Sequence, residues 1–172
     1  ALPIYIVTES YVQRFETVSD NCADILLDAE RITKVLFTDE DVENWFQSDE
    51  ETGLARRLQQ RMKVESRLDY LEALYPENQF SSISVYTTGG EMVNTNSIRS
   101  RAAAYMNLLE EIQKMPEKPA WLDLYEYEDE EGPGDGIAYM RPYREYSSGQ
   151  VKGYIVVEYN SELLQKIFTP LK

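Results

Sequence analysis

An α+β fold, a long N-terminal helix packed on a five-stranded antiparallel sheet, is what the 172-residue sequence predicts, and three observations carry that prediction. First, Phe15, Val18, Cys22, Ile25, Ala29, Ile32 and Leu36 step by alternating threes and fours with no Gly or Pro among them. That is the a/d seam of a helix, held for three heptads. Second, the apolar period changes from helical to two at Phe80, where Ile83 and Val85 alternate with Ser82, Ser84 and Tyr86. Third, the strand-like segments come as a pair and a triplet with one helix between them, an order that antiparallel hairpins and a single helical crossover satisfy.

The first helix is read over residues 8–37, with Leu26 and Val35 widening its apolar face. Its C-terminal half is expected to pack on its own domain; its N-terminal half, with Tyr11, Val12 and Phe15, is freer to meet another chain. Thr38-Asp39-Glu40-Asp41 supplies a cap and acidic first-turn residues for a short helix through Val42, Trp45 and Phe46. The next helix carries Leu54, Leu58, Met62, Leu68, Leu71, Leu74 and Tyr75 at helical spacing and stops at Pro76. Gly89-Gly90 turns the first hairpin, since Gly-Gly accepts positive φ. Residues 97–115 read as the crossover helix, with Ile98, Ala102, Tyr105, Leu108, Leu109 and Ile112 on one side. Residues 121–127, 137–146 and 153–159 read as strands, the last the most apolar and therefore central. Residues 129–136 read as a solvated loop, and Leu163, Leu164, Ile167 and Phe168 as a closing helix capped by Asn160 or Ser161. Residues 1–79 form a helical region and 80–172 a sheet module, together one domain.

Composition excludes several functions. The net charge is −14, from 17 Lys+Arg against 31 Asp+Glu, and no basic stripe offsets it, so no nucleic acid is expected as a partner. The densest basic stretch, Arg56, Arg57, Arg61, Lys63 and Arg67, is diluted by Glu65 and Asp69. Histidine is absent, which removes Ser-His-Asp and Cys-His catalysis, His-ligated zinc and a phospho-accepting His. The single Cys22 allows no internal disulfide and no Cys-rich cluster. No run reaches the roughly 18 apolar residues of a membrane span. The apolar start, residues 1–7, is too short and lacks the basic flank of a signal peptide, and both ends read as cut from a longer chain. In the acidic loop Glu126, Glu128 and Glu130 alternate, but Gly132 falls one place late for an EF-hand, so a solvated loop is preferred over calcium. No cofactor, metal or catalytic residue is expected.

Three passages carry a family resemblance. The long helix runs into a second helix and then into Ser82-Ile83-Ser84-Val85-Tyr86-Thr87-Thr88-Gly89-Gly90-Glu91-Met92-Val93. Trp121 opens the third strand after a proline-bounded helix. Ile137-Ala138-Tyr139-Met140-Arg141-Pro142-Tyr143-Arg144 is followed by Gly149-Gln150-Val151-Lys152-Gly153-Tyr154-Ile155-Val156-Val157-Glu158-Tyr159 and then Leu163-Leu164. This order resembles the extracytoplasmic Cache (PAS-like) sensor domain of bacterial receptors, and the long first helix with Gly-Tyr-Ile-Val-Val looks most like YesM-type sensor histidine kinases. The resemblance implies a sensor segment between two transmembrane helices, outside the cell, with the kinase core beyond Lys172. It implies a membrane-anchored homodimer and a small-molecule ligand of unknown identity. Many receptors of the family carry two PAS-like modules, whereas this chain has strands for one.

Strand parity nominates a site. Trp121, Asp123 and Tyr125 share a face of the third strand, and Tyr139, Arg141 and Tyr143 a face of the fourth. As sheet neighbours they put aromatic walls around one carboxylate and one guanidinium, with Tyr105 closing the space from the crossover helix, which describes a small-molecule pocket. A bulge in either strand breaks that parity. The alternative is an Arg141–Asp123 surface pair among chance aromatics, since the chain holds 13 Tyr. The family's amino-acid pattern, Arg just before Trp, is not matched, because Trp121 follows Ala120. Three functions stay open at this point. The first is a ligand sensor of a two-component kinase or chemoreceptor. The second is a ligand-free module that relays contact with a partner protein. The third is a small acidic enzyme working with carboxylates alone. The isolated domain is expected to be a monomer or a weak dimer through the first helix, because the seam residues Cys22 and Ala29 are small and the net charge opposes association.

Overall fold

The computed structural model describes the backbone of residues 2–77, 79–95, 102–129 and 132–160, and the side chains of residues 20–49, 51–77, 79–95, 108–122 and 136–159. The element order is α1 (Leu2–Phe37), α2 (Glu40–Gln47), a 3₁₀ turn (Glu50–Thr52), α3 (Leu54–Ala73), β1 (Ser82–Thr87), β2 (Met92–Asn94), α4 (Ala102–Lys114), β3 (Ala120–Asp129), β4 (Gly132–Arg144) and β5 (Val151–Asn160). The strands form one five-stranded sheet in the order β2-β1-β5-β4-β3, with every neighbouring pair antiparallel. β5 is central, as its apolar composition indicates. The α+β architecture is the expected one, and the closing helix lies outside the described residues.

Helices cover both faces of the sheet. Ile83, Val85, Val93, Tyr139, Tyr143, Ile155, Val157 and Tyr159 pack with Ala29, Ile32 and Leu36 of α1, Val42, Trp45 and Phe46 of α2, and Val64, Leu68 and Leu71 of α3. On the other face Tyr86, Ala138, Met140, Tyr154 and Val156 pack with Leu108, Leu109 and Ile112 of α4. The α1 seam is used as far as it is described: Ala29, Ile32 and Leu36 are buried and Ile25 is partly buried, while the side chains of Phe15 and Val18 lie outside the described residues. Leu26 and Val35 do not widen the seam. They are 47% and 48% exposed, because each stands one residue, about 100° of helix, from a seam position.

The apolar set of α3 needs a larger correction. Leu54, Leu58, Met62 and Leu74 are exposed, and the buried stripe is Val64, Leu68 and Leu71. Asp129 and residues 132–136, read as part of a loop, are likewise strand. β3 runs to Asp129 and β4 starts at Gly132, paired in register from Asp129↔Gly132 to Tyr125↔Gly136.

Asp39 begins α2 as the sequence indicates. Its Oδ1 accepts from the backbone N–H groups of Asp41 (2.9 Å) and Val42 (3.2 Å), and its Oδ2 pairs with Arg67 Nε of α3 at 2.8 Å. One carboxylate thus caps a helix and ties it to the next. Asp39→Ala is expected to cost about 1–2 kcal/mol, read as a lower urea midpoint with unchanged slope. A loss below about 0.3 kcal/mol would show that the cap is idle.

Candidate functional site

Trp121, Tyr139, Arg141 and Tyr143 do share one face, and it is the face that α1 and α2 cover. Trp121 is opposite Tyr139 in the β3–β4 register, with ring centroids 5.1 Å apart. Tyr143 stacks on Phe46 of α2 at 4.2 Å and 9°, and meets Phe37 of α1 at 5.5 Å. Burial pushes the Tyr143 phenol up to about 12. Arg141 is half-buried, and its Nε donates to Thr33 Oγ1 of α1 at 3.1 Å. Tyr139 and Tyr143 pack between the sheet and the helical layer, and Trp121 and Arg141 stand half-buried beside them. The register shifts between Leu122 and Tyr125, which places Tyr125 opposite Gly136, of the other β4 parity from Tyr139. That is the bulge against which the parity argument was vulnerable. The side chains of Tyr105, Asp123 and Tyr125 lie outside the described residues.

The sequence reading missed a polar row on the opposite face. Ser82 and Ser84 of β1 alternate with the core residues Ile83 and Val85, so they point toward the α4 side, and both are 0% exposed. Across the sheet Ser82 pairs with Glu158, Glu158 with Ala138, and Ser84 with Val156. Glu158 is 2% exposed. Among the described residues the Oγ atoms of Ser82 and Ser84 have no hydrogen-bond partner. A buried hydroxyl without a partner costs about 1–3 kcal/mol. Two of them, on a sheet whose neighbouring positions are Val, Ala and Met, are hydroxyls that a bound polar group would satisfy, and Glu158 stands beside Ser82 on the next strand. Toward the other end of the same face the surface is closed by Tyr86, Tyr154 and Met140 against α4. The signal was present in the sequence only as serine alternating with valine and isoleucine, the pattern of a strand with one wet face.

The two faces are joined through adjacent residues. Glu158 lies on the α4 side, and the next residue, Tyr159, lies on the α1 side with its hydroxyl donating to the Ile25 carbonyl of α1 at 3.0 Å. Burial raises the Tyr159 phenol strongly, so it stays a neutral donor. Arg141–Thr33 makes a second contact with α1 two helical turns further on.

A separate cleft of about 600 Å³ opens at the C-terminal end of α3, lined in part by Asp69, Glu72, Tyr75, Glu77, Phe80 and Thr95. Burial raises the Glu72 carboxyl above the ordinary carboxylate value, opposed by a hydrogen bond from Thr95 and reinforced by Asp69. A raised folded-state value means that the folded chain holds the proton longer than the unfolded one. Stability therefore falls as pH rises from the ordinary value to the raised one, and stays lower above it. Glu72→Gln is expected to remove that loss, so the stability gap between variant and parent should widen from about pH 4 upward and then level off. A gap independent of pH would refute this.

Among the described residues no group of three His, Cys, Asp or Glu is placed to hold a metal ion, and no helix is long and apolar enough to cross a membrane.

No family model matches the chain, and no curated protein matches it. Solved structures do. The sensor domain of the Vibrio cholerae histidine kinase DctB matches with a TM-score of 0.60 at 13% identity, over 98% of this chain and 60% of that one. The periplasmic domain of Vibrio cholerae LuxQ matches with a TM-score of 0.60 at 14% identity, over 93% and 69%. The sensory domain of the Campylobacter jejuni chemoreceptor Tlp3, solved with isoleucine bound, matches with a TM-score of 0.60 at 14% identity, over 93% and 60%. The fold is that of these sensor modules. The chain spans about 60% of the length of the DctB and Tlp3 domains it matches.

Proposed function

We propose that the chain is the extracytoplasmic sensing segment of a membrane receptor and that it binds a small polar molecule on the α4 side of the sheet. The observation that carries this reading is the pair of buried, unpartnered hydroxyls, Ser82 and Ser84, beside Glu158. A ligand with hydrogen-bonding groups would satisfy both hydroxyls, with the Glu158 carboxylate adding negative charge beside them. The fold supports the reading, since Tlp3 holds isoleucine and the ligand-binding domain of the Pseudomonas aeruginosa chemoreceptor PctC, of TM-score 0.51, is described in complex with GABA.

Relay follows from adjacency. A ligand that draws Glu158 toward itself moves Tyr159 on the other face, and Tyr159 holds Ile25 of α1. Arg141 holds Thr33 of the same helix. A ligand acts only by its difference in affinity for two arrangements of this sheet–helix contact. In the full-length protein, α1 and the segment after β5 would lead to transmembrane helices, and the output would be a two-component histidine kinase, YesM-type by resemblance. A chemoreceptor output is the second reading, favoured by the Tlp3 and PctC likenesses. The helical region, residues 1–79, and the sheet module, residues 80–172, act in this scheme as one domain, a monomer or weak dimer on its own and a homodimer in the membrane.

A thermal-shift screen against amino acids, amines, sugars and carboxylates tests the reading. A ligand at 100 times its Kd adds about 2.7 kcal/mol, which for a domain of this size is a rise of roughly 5–10 °C. No shift from any class at millimolar concentration would favour a module that relays contact with a partner protein.

A further inference from the structure

We propose that the cleft at the C-terminal end of α3 is a second binding site, taking an aliphatic amine: primary ammonium groups on a methylene chain. Its lining includes none of Ser82, Ser84 and Glu158, although Ser81 at its edge adjoins Ser82. Asp69 and Glu72 come from the last turns of α3, Tyr75 from the residues that cap it, Phe80 from the lead into β1, and Thr95 from just beyond β2. The volume, about 600 Å³, is in the range of small-molecule sites.

The lining selects the chemistry. Three carboxylates, Asp69, Glu72 and Glu77, face the space, and among the described residues no Lys or Arg lines it. An anion or a zwitterion would therefore leave its negative end unmatched. Tyr75 and Phe80 meet edge to face with centroids 5.0 Å apart, an aromatic wall that suits methylene groups and attracts an ammonium over a ring face. The helix C-terminus adds partial negative charge. Thr95, whose Oγ1 accepts from the Ile83 N–H at 3.1 Å, adds a fixed hydroxyl to the lining. Asp28 behind the wall accepts from Gln79 Nε2 at 2.8 Å and is paired with Arg31, so it adds little net charge. A bare divalent ion fits less well, because among the described residues no three acidic groups are close enough to ligate one.

The test is calorimetric titration of the whole chain with putrescine and spermidine at about 0.15 M salt, where diffuse attraction to an acidic surface is screened. Saturable binding is expected, with Glu72→Gln and Asp69→Asn each weakening spermidine at least tenfold. Glu110→Gln and Glu111→Gln on α4, which remove equal charge elsewhere, should leave it unchanged. The pair Ser82→Ala, Ser84→Ala should also leave it unchanged, which separates this site from the one on the α4 face. Circular dichroism confirms that each variant is folded. Equal weakening by the α4 variants, or magnesium competing at equal charge concentration, would reduce the binding to non-specific charge and overturn the proposal. Loss of amine binding in the serine variants would overturn it as a separate site.

Discussion

Gly153→Ala is expected to destabilise the chain by about 3 kcal/mol or more, a fall in Tm of roughly 6–12 °C. A Cβ at this position would stand 1.9 Å from the Tyr86 carbonyl oxygen and 2.3 Å from Phe46 Cε1. The first neighbour is backbone on β1, paired with β5 along its whole length, so it cannot retreat without opening the ladder. The second is the ring that stacks on Tyr143, which is itself opposite Gly153 in β4. Gly153 is therefore the notch into which α2 lowers Phe46, and the missing side chain is what lets α2 reach the central strand. A thermal melt within 2 °C of the parent would show that the notch is not needed.

Ser82→Ala with Ser84→Ala should move stability and binding in opposite directions. Removing two unpartnered buried hydroxyls is expected to stabilise the free chain by about 1–3 kcal/mol each, since no described residue repays their desolvation. The same change should weaken a ligand found by the screen at least a hundredfold, and Glu158→Gln should do so by loss of charge. Arg141→Ala should leave binding intact and cost only the modest energy of the Thr33 contact. If the pocket were instead built around the aromatic row on β3 and β4, Arg141→Ala would abolish the ligand shift and the serine variants would not. Comparing the three variants in one titration series decides between these outcomes. A stabilised, non-binding serine pair is the signature of residues kept for function against the interest of the fold.

Much of the architecture could be read from residue order alone. A seam such as Ala29, Ile32 and Leu36 must be periodic to be buried, and the Ile83–Val85 alternation must sit on a sheet. What periodicity does not carry is which of two apolar stripes on a helix finds a partner. Leu54, Leu58 and Met62 keep the same spacing as a buried stripe, yet Val64, Leu68 and Leu71 are the residues that meet the sheet. Nor does composition separate a solvated loop from the tip of a long hairpin, because Gly132-Pro133-Gly134 suits both. The one-residue shift between Leu122 and Tyr125 left no mark in the sequence, and it sets Tyr125 out of the register that parity assumed. The burial of the serines was not legible for a different reason. Alternation with valine means a wet face only when nothing covers that face, and here helices lie on both sides of the sheet.

The most direct measurement is a crystal structure of the chain grown with the strongest ligand of the screen. Binding on the α4 side predicts ligand atoms within hydrogen-bonding distance of Ser82 Oγ, Ser84 Oγ and the Glu158 carboxylate, with Tyr159 still joined to Ile25 or displaced together with α1. Ligand density on the α1 side, against Trp121 and Arg141, would contradict it, as would both serine hydroxyls bonded within the protein and no ligand beside them.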